Sequence, residues 1–252
     1  MKKDIRSLTF SEIERLVGSL SQPSFRAKQI YEWLHKYGVC AFDNMSNIPK
    51  ALREKLSADF RISGCKTESK YVSALDGTVK YLFRLDDGEY IESVVMKYKY
   101  GNTICVSSQV GCKMGCKFCA STLAGFQRDL TAGEIESQIH AAQKDLGERI
   151  SHVVLMGIGE PLDNFENVIN FIYNVNPEYG LNISARNITL STCGIVPQIR
   201  QLMKLGLQIT LTISLHAPND DIRSSIMPVN SKWKIADIMN VCREYAEKTG
   251  RR

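Results

Sequence analysis

The sequence of 252 residues lacks long apolar runs. The longest, such as Val-Val-Leu-Met at 153–156, fall far short of the ~18 apolar residues that a membrane-spanning helix needs. The chain also lacks the pattern of a secretory signal, because its basic start leads to Glu12, Glu14 and Arg15 where a signal carries an apolar stretch. We therefore expect a cytoplasmic protein.

A large charge excess is missing too. The 32 basic and 27 acidic residues give a net charge of +5, which is a mild preference for an anionic partner and is compatible with RNA. No internal repeat or low-complexity segment is visible. At roughly 150 residues per domain, the length fits one large domain or a medium domain with a smaller companion. A hydrophobic content of 44% supplies a core without a metal or disulfide staple.

The first 104 residues show two different periodicities. Residues 1–62 contain short amphipathic helical patterns and predict a helical cap, with Pro23 and Pro49 at helix starts. Residues 63–104 are rich in Val, Tyr, Ile and Phe and contain Asp-Gly pairs at 76–77 and 87–88. Asp-Gly between such segments is typical of hairpin turns, so this part predicts a β-meander, with Glu92 on its third strand.

The remainder, residues 105–252, alternates strands with helices. A capping box of Thr131 and Glu134 opens the first of these helices. Strands are predicted around Cys105 and at 152–156, 187–191 and 207–215. Four strands that alternate with helices imply a parallel sheet with right-handed crossovers.

Two of these strands alternate apolar and polar residues. In the last strand the apolar set is Ile209, Leu211, Ile213 and Leu215, and the polar set is Thr210, Thr212, Ser214 and His216. In the strand before it, Ile188 and Leu190 oppose Asn187, Thr189 and Ser191. A flat parallel sheet between two helix layers is apolar on both faces, so the polar rows favour a curved, barrel-like sheet. Its inner face would line a wet, ligand-holding cleft.

Three of the eight cysteines lie within eight residues: Cys112, Cys116 and Cys119. In a reducing compartment such a group indicates metal or redox chemistry rather than disulfides. A zinc site is one interpretation, but structural zinc takes four ligands and no fourth Cys or His lies nearby in the sequence. Three thiolates on one loop can instead bind three irons of a [4Fe–4S] cluster and leave one iron open. Gly111 and Gly115 would let such a loop wrap around the cluster.

The segment Cys105-Val-Ser-Ser-Gln-Val-Gly-Cys112-Lys-Met-Gly-Cys116-Lys-Phe-Cys119 resembles the radical S-adenosylmethionine (SAM) superfamily. More closely, it is similar to the RlmN-type adenine C2 methyltransferases, and the likeness extends over essentially the whole chain. It includes Leu-Met-Gly-Ile-Gly-Glu-Pro at 155–161, Leu-Ser-Thr-Cys-Gly at 190–194 and Ile-Ser-Leu-His-Ala-Pro at 213–218.

This resemblance implies an α/β fold, a partial (βα) radical-SAM barrel with four of six expected βα units behind the helical cap and the β-meander. It implies methylation of adenine C2 in 23S rRNA, and of an adenine near the anticodon in tRNA, through a methyl-cysteine intermediate. The implied cofactors are a [4Fe–4S] cluster and SAM. An external electron donor such as flavodoxin, and a monomeric state, are expected with them.

The resemblance also assigns roles to individual residues. Cys112, Cys116 and Cys119 would bind the cluster. The SAM contacts would be Gly159, Glu160, Ser191, Ser214, Leu215 and His216. Glu92 would be the base that removes the adenine C2 proton, and Cys105 would be the thiol that forms a transient disulfide and releases the RNA.

The sequence departs from the family at its end. It stops at residues 249–252, Thr-Gly-Arg-Arg, where relatives enter a fifth strand. The resemblance therefore places the last two strands and the methyl-carrying cysteine outside these 252 residues. We expect these residues alone to be poorly soluble and to transfer no methyl group to RNA.

Two alternatives remain. One is a Cfr-like adenine C8 methyltransferase, although Ser-Thr-Leu-Ala-Gly-Phe-Gln at 121–127 is more similar to the C2 group. The other is a non-catalytic RNA-binding protein with a structural zinc at the three cysteines.

Overall fold

A computed structural model describes residues 2–251. The helical cap contains, in chain order, β1 (Lys3–Asp4), α1 (Phe10–Ser19), α2 (Phe25–Tyr31), α3 (Lys50–Asp59) and β2 (Phe60–Arg61). A capping box of Thr9 and Glu12 starts α1, and Pro49 directly precedes α3. The apolar faces of the helices meet in a core of their own, which includes Ile13, Ile30 and Leu56.

The prediction of a purely helical cap was wrong in one respect. β1 and β2 pair in parallel and join the two ends of the cap. Each strand has only two residues, and two residues are too few to show an alternating pattern.

The β-meander is confirmed as three antiparallel strands, β3 (Cys65–Val72), β4 (Val79–Leu85) and β5 (Tyr90–Tyr98). Both turns use their glycine at positive φ, +70° at Gly77 and +92° at Gly88.

The following part of the chain contains the predicted alternation of parallel strands and helices. Its elements are β6 (Gly101–Cys105), β7 (Gln109–Val110), β8 (Arg128–Asp129), α4 (Ala132–Leu146), β9 (Ile150–Leu155), α5 (Phe165–Val175), β10 (Ile188–Thr192), α6 (Val196–Lys204), β11 (Thr210–Ile213), α7 (Asp220–Ile226) and α8 (Ile235–Thr249). Thr131 and Glu134 form the predicted capping box of α4. The last strand is shorter than predicted, and β7, β8 and α7 were not predicted.

One seven-stranded sheet joins the β-meander to the parallel strands, in the order β11-β10-β9-β6-β5-β4-β3. β6, β9, β10 and β11 are mutually parallel, as in a partial (βα) barrel. The β-meander extends the parallel strands into the same sheet, because β5 pairs antiparallel with β6.

Strand register puts the predicted polar residues on one face of the sheet. The paired positions on this face are Val94 with Cys105, Cys105 with Val154, Val154 with Thr189, Thr189 with Thr210, and Ser191 with Thr212. Their neighbours Ile104, Val153 and Leu190 point the other way and are fully buried in the core with α4, α5 and α6. The helices therefore cover one face, and the other, which we call the open face, is available for ligands.

A buried cluster of two histidines and a glutamate joins the helical cap to α4. His35, which follows α2, places its Nδ1 2.8 Å from Glu136 Oε2, and His140 Nε2 lies 3.0 Å from Glu136 Oε1. His35 and Glu136 are completely buried. Among residues 2–251, no helix is long and apolar enough to cross a membrane.

Candidate cofactor site

The three clustered cysteines lie on one long loop between β7 and β8, residues 111–127, which we call the cluster loop. β7 and β8 pair antiparallel and close its base. Gly111 has φ +72°, and a Cβ at this position would lie 1.7 Å from the Gly125 carbonyl oxygen. Only glycine allows the two ends of the loop to approach this closely.

The three thiols line one cavity. Cys112 and Cys116 are buried and Cys119 is half-buried. Burial raises the pKa of the Cys112 and Cys116 thiols. Within residues 2–251 no three Cys, His, Asp or Glu side chains converge on a single metal ion. A cubane does not need this, because its thiolates bind three different irons. The donor set and its shared cavity therefore fit a [4Fe–4S] cluster with one iron left for a ligand.

Polar side chains from β10 and from the loops after β9 and β11 also line this cavity, and we call them the polar wall. They are Glu160, Ser191, Ser214 and His216. Ser191 Oγ lies 3.2 Å from Ser214 Oγ, while Ile213 packs into the core, as the predicted alternation requires. His216 has φ +58°, in the left-handed region that is strained for a residue other than glycine. Its ring packs edge-to-face against Phe118 of the cluster loop at 4.8 Å.

The loop after β9, residues 157–161, which we call the Gly-Glu-Pro loop, completes the wall. Gly159 has φ +108°, and a Cβ there would lie 2.6 Å from the Gln109 Cβ. Glu160 is only 4% exposed and therefore lies inside the wall rather than at its rim. Its Oε2 accepts the Cys193 N–H at 2.7 Å and its Oε1 accepts the Leu162 N–H at 3.1 Å. Burial raises its pKa.

Cys193 is a residue of this cavity that the sequence interpretation missed. It is buried, lines the same cavity as the cluster-loop cysteines, and holds Glu160 through its backbone N–H. Its place just after β10, the strand of Ser191, was the available signal. Leu215, by contrast, is not among the residues that line the cavity, and its carbonyl accepts a hydrogen bond from Arg223 Nε at 3.2 Å.

Glu92 and Cys105 lie outside the cavity wall, on the open face. Cys105 ends β6, opposite Val94, and Glu92 lies two residues before Val94 on the same face of β5. The Glu92 side chain is 44% exposed, and its Oε1 is 2.7 Å from Lys80 Nζ. Burial raises the pKa of the Cys105 thiol, and a hydrogen bond from the backbone of Met156 partly offsets this. The roles of all these residues remain predictions.

Comparison with known proteins identifies two matching families. Residues 3–62 match the ribosomal RNA large subunit methyltransferase N-terminal domain of RlmN, and residues 106–250 match the radical SAM superfamily. These two segments coincide with the helical cap and with the part of the chain that contains the cluster loop and the parallel strands.

Individual relatives match along nearly the whole chain. A probable dual-specificity RNA methyltransferase RlmN from Clostridium novyi is 54% identical over 250 residues, which are 99% of this chain and 73% of that protein. Its namesake from Lachnospira eligens is 53% identical over 249 residues, 99% of this chain and 71% of that protein. The crystal structure of a radical SAM methyltransferase from Sphaerobacter thermophilus superposes with a TM-score of 0.90 at 39% identity, covering 99% of this chain and 74% of that one. The chain therefore belongs to the RlmN family of radical SAM RNA methyltransferases.

Proposed function

We propose that this enzyme methylates carbon 2 of an adenine in 23S rRNA and in tRNA, with SAM bound between the cluster loop and the polar wall. The main observation behind this proposal is that one cavity is lined both by the three cluster-loop cysteines and by the polar wall, Glu160, Ser191, Ser214 and His216. Cys112, Cys116 and Cys119 would hold the [4Fe–4S] cluster. When bound, the cluster supplies the electron that cleaves SAM reductively.

The polar wall would hold SAM through hydrogen bonds. Two backbone N–H groups fix the Glu160 carboxylate, so it is oriented before the cofactor arrives and can accept the methionine amino group with its remaining lone pairs. Gly159 contributes backbone at a position where no side chain fits. Ser191, Ser214 and His216 would contact the rest of the cofactor. Leu215 would contribute through its backbone, since its side chain does not line the cavity.

The open face would receive the RNA base. We assign the proton removal to Glu92, whose half-exposed carboxylate is accessible from this face and is held by Lys80. We assign the transient disulfide to Cys105, on the neighbouring strand of the same face. Both groups lie beside the cofactor cavity rather than in its wall, which suits groups that act on RNA instead of on SAM.

The finer features of the proposal follow from the same assignment. The proposed division of the chain is a helical cap (1–62), a β-meander extension (63–104) and a radical SAM core (105–252). The proposed electron donor is an external carrier such as flavodoxin, and the proposed enzyme is a monomer in the cytoplasm.

The product nucleoside tests the proposed reaction. The chain, joined after residue 252 to the corresponding segment of the Clostridium novyi relative, is incubated with SAM labelled in its methyl group and with unmodified 23S rRNA fragments or tRNA. We expect label in 2-methyladenosine, and its loss in Glu92→Gln, because the base would be gone. A matched control is Glu89→Gln, which changes an exposed carboxylate at the turn before β5. Label in 8-methyladenosine, or undiminished labelling in Glu92→Gln, would overturn the assignment.

A further inference from the structure

Ser107 is a fully buried serine two residues beyond the end of β6. Its hydroxyl donates a hydrogen bond to the carbonyl oxygen of Glu92, 2.6 Å away, and accepts one from the Ile158 N–H at 3.0 Å. One hydroxyl group therefore connects β5, at the residue assigned to proton removal, with the Gly-Glu-Pro loop.

The position of Ser107 is itself fixed from behind by α4. The side-chain amide of Gln138 donates to the Ser107 carbonyl at 2.9 Å, and its oxygen accepts the Ser107 N–H at 2.9 Å. The same oxygen accepts the Ser93 hydroxyl of β5 at 2.7 Å. Every donor and acceptor in this buried network is a protein group, so the network needs no cofactor to form.

The other hydrogen bonds of the Gly-Glu-Pro loop do not reach β5. The Ser108 N–H donates to the Ile158 carbonyl at 2.9 Å, and Gln109 Oε1 accepts the Glu160 N–H at 2.9 Å. The Gly157 N–H donates to the Val106 carbonyl at 3.0 Å, and the Glu160 carboxylate accepts the Cys193 N–H, so none of these bonds joins the loop to β5. In the described part of the chain, the Ser107 hydroxyl is the one side-chain group that bonds both to this loop and to β5.

We propose that Ser107 is a positioning residue that fixes the Gly-Glu-Pro loop relative to β5. It thereby also fixes the position of the SAM contacts relative to Glu92. Without its hydroxyl, the Ile158 N–H and the Glu92 carbonyl would lose their shared partner, and each would have to shift to find another. The catalytic meaning of this link rests on the proposed function, in which Glu160 holds SAM and Glu92 acts on the base.

The chain offers a matched control in the adjacent residue. Ser108 is 2% exposed, and its hydroxyl has no hydrogen-bond partner within residues 2–251. Ser108→Ala therefore removes the same atoms from the same buried segment without breaking a link. Ser107→Thr changes the side chain at the critical position but keeps a hydroxyl.

Amide hydrogen exchange on the cluster-free chain measures the link directly. We expect the Ile158 amide to exchange about tenfold faster in Ser107→Ala than in the unchanged chain. Exchange at Ile158 should stay unchanged in Ser108→Ala and return toward the original rate in Ser107→Thr. Equal exchange at Ile158 in Ser107→Ala and Ser108→Ala would overturn the proposal, since both lose one buried hydroxyl.

SAM binding to the cluster-loaded chain measures the consequence. We expect the Kd to rise about tenfold in Ser107→Ala and to stay unchanged in Ser108→Ala. Equal affinity in the two variants would contradict the positioning role even where exchange differs. Failure of the unchanged chain to bind SAM would instead count against the proposed function, while the exchange at Ile158 would still decide whether the hydroxyl holds the loop.

Discussion

Replacing Glu136 by Gln should lower the free energy of unfolding at pH 7 by about 3–5 kcal/mol, because it breaks a fully buried charged contact. The carboxylate lies between His35 of the helical cap and His140 of α4, with oxygen–nitrogen distances of 2.8 and 3.0 Å. The amide of Gln is nearly isosteric but has one acceptor oxygen where the carboxylate has two, so one of the two imidazole rings would lose its acceptor. The helical cap should therefore detach from α4 before the rest of the chain unfolds.

The two tryptophans can report separately on detachment of the helical cap and on unfolding of the rest of the chain. Trp33 lies in the helical cap, and Trp233 packs against the core of the sheet and its helices. The urea midpoint of unfolding is measured from Trp33 fluorescence in a Trp233→Phe background, and from Trp233 fluorescence in a Trp33→Phe background. In Glu136→Gln, the midpoint reported by Trp33 should fall further than the midpoint reported by Trp233. Glu247→Gln, an exposed carboxylate on α8, is the control and should leave both midpoints unchanged. Equal, small shifts at both reporters would show that the buried contact does not hold the helical cap.

The same carboxylate should make stability depend on pH. Burial opposes its ionisation, but attraction to His35 and hydrogen bonds from both histidines outweigh burial and hold the Glu136 pKa at about 2. A carboxyl pKa that is lower in the folded state stabilises the fold above the unfolded pKa, near 4.5, and this contribution disappears as the pH falls toward 2. We expect a loss on the order of 3 kcal/mol between pH 5 and 2, and a flatter profile in Glu136→Gln.

Alanine at any one of the three cluster-loop cysteines should abolish cluster binding. Purified without oxygen, the unchanged chain should bind about four irons with acid-labile sulfide, and Cys112→Ala, Cys116→Ala and Cys119→Ala should each bind almost none. The reason is that the two remaining thiolates cannot hold a stable cubane. Iron and sulfide analysis with the visible absorption spectrum measures the effect.

Two other cysteines provide the controls. Cys105→Ala should keep all four irons, since its thiol lies on the open face outside the cavity wall. Cys193→Ser is the sharper control, because this cysteine lines the same cavity. It should also keep the cluster, because the three cluster-loop thiolates are sufficient to hold a cubane and the Cys193 thiol is not one of them. Loss of iron in Cys193→Ser with retention in Cys119→Ala would mean that the ligand set is wrong.

The alternation of apolar and polar residues in the strands correctly predicted which strand face carries the serines of the polar wall. Alternation in residues 187–191 and 207–215 put Ser191 and Ser214 on one face, and parallel pairing brings them within 3.2 Å of each other. Such a pattern is reliable because a shift of one residue would bury every polar side chain of the strand. The same argument could not place Glu160, since loop backbone geometry, rather than a strand period, turns its carboxylate into the wall.

Contacts between residues that are far apart in the sequence could not be predicted from local sequence patterns. Ser107 looks like any small residue after a strand, and its importance arises only when Glu92 and Ile158 are brought to it by pairing. Cys193 likewise follows β10 as an ordinary buried residue until the cavity is formed. His35 and Glu136 are 101 residues apart, and neither has a local pattern that predicts the other.

Reductive cleavage of SAM tests the central claim most directly, because it needs the cluster-loop cysteines and the polar wall to act on one molecule. The chain is loaded with iron and sulfide without oxygen and incubated with SAM and dithionite, and 5′-deoxyadenosine and methionine are quantified by chromatography. The account predicts both products in equal amounts, dependent on the reductant and absent from Cys116→Ala. Intact SAM after reduction of a fully loaded cluster, or a purified protein that retains zinc and takes up no iron, would contradict it.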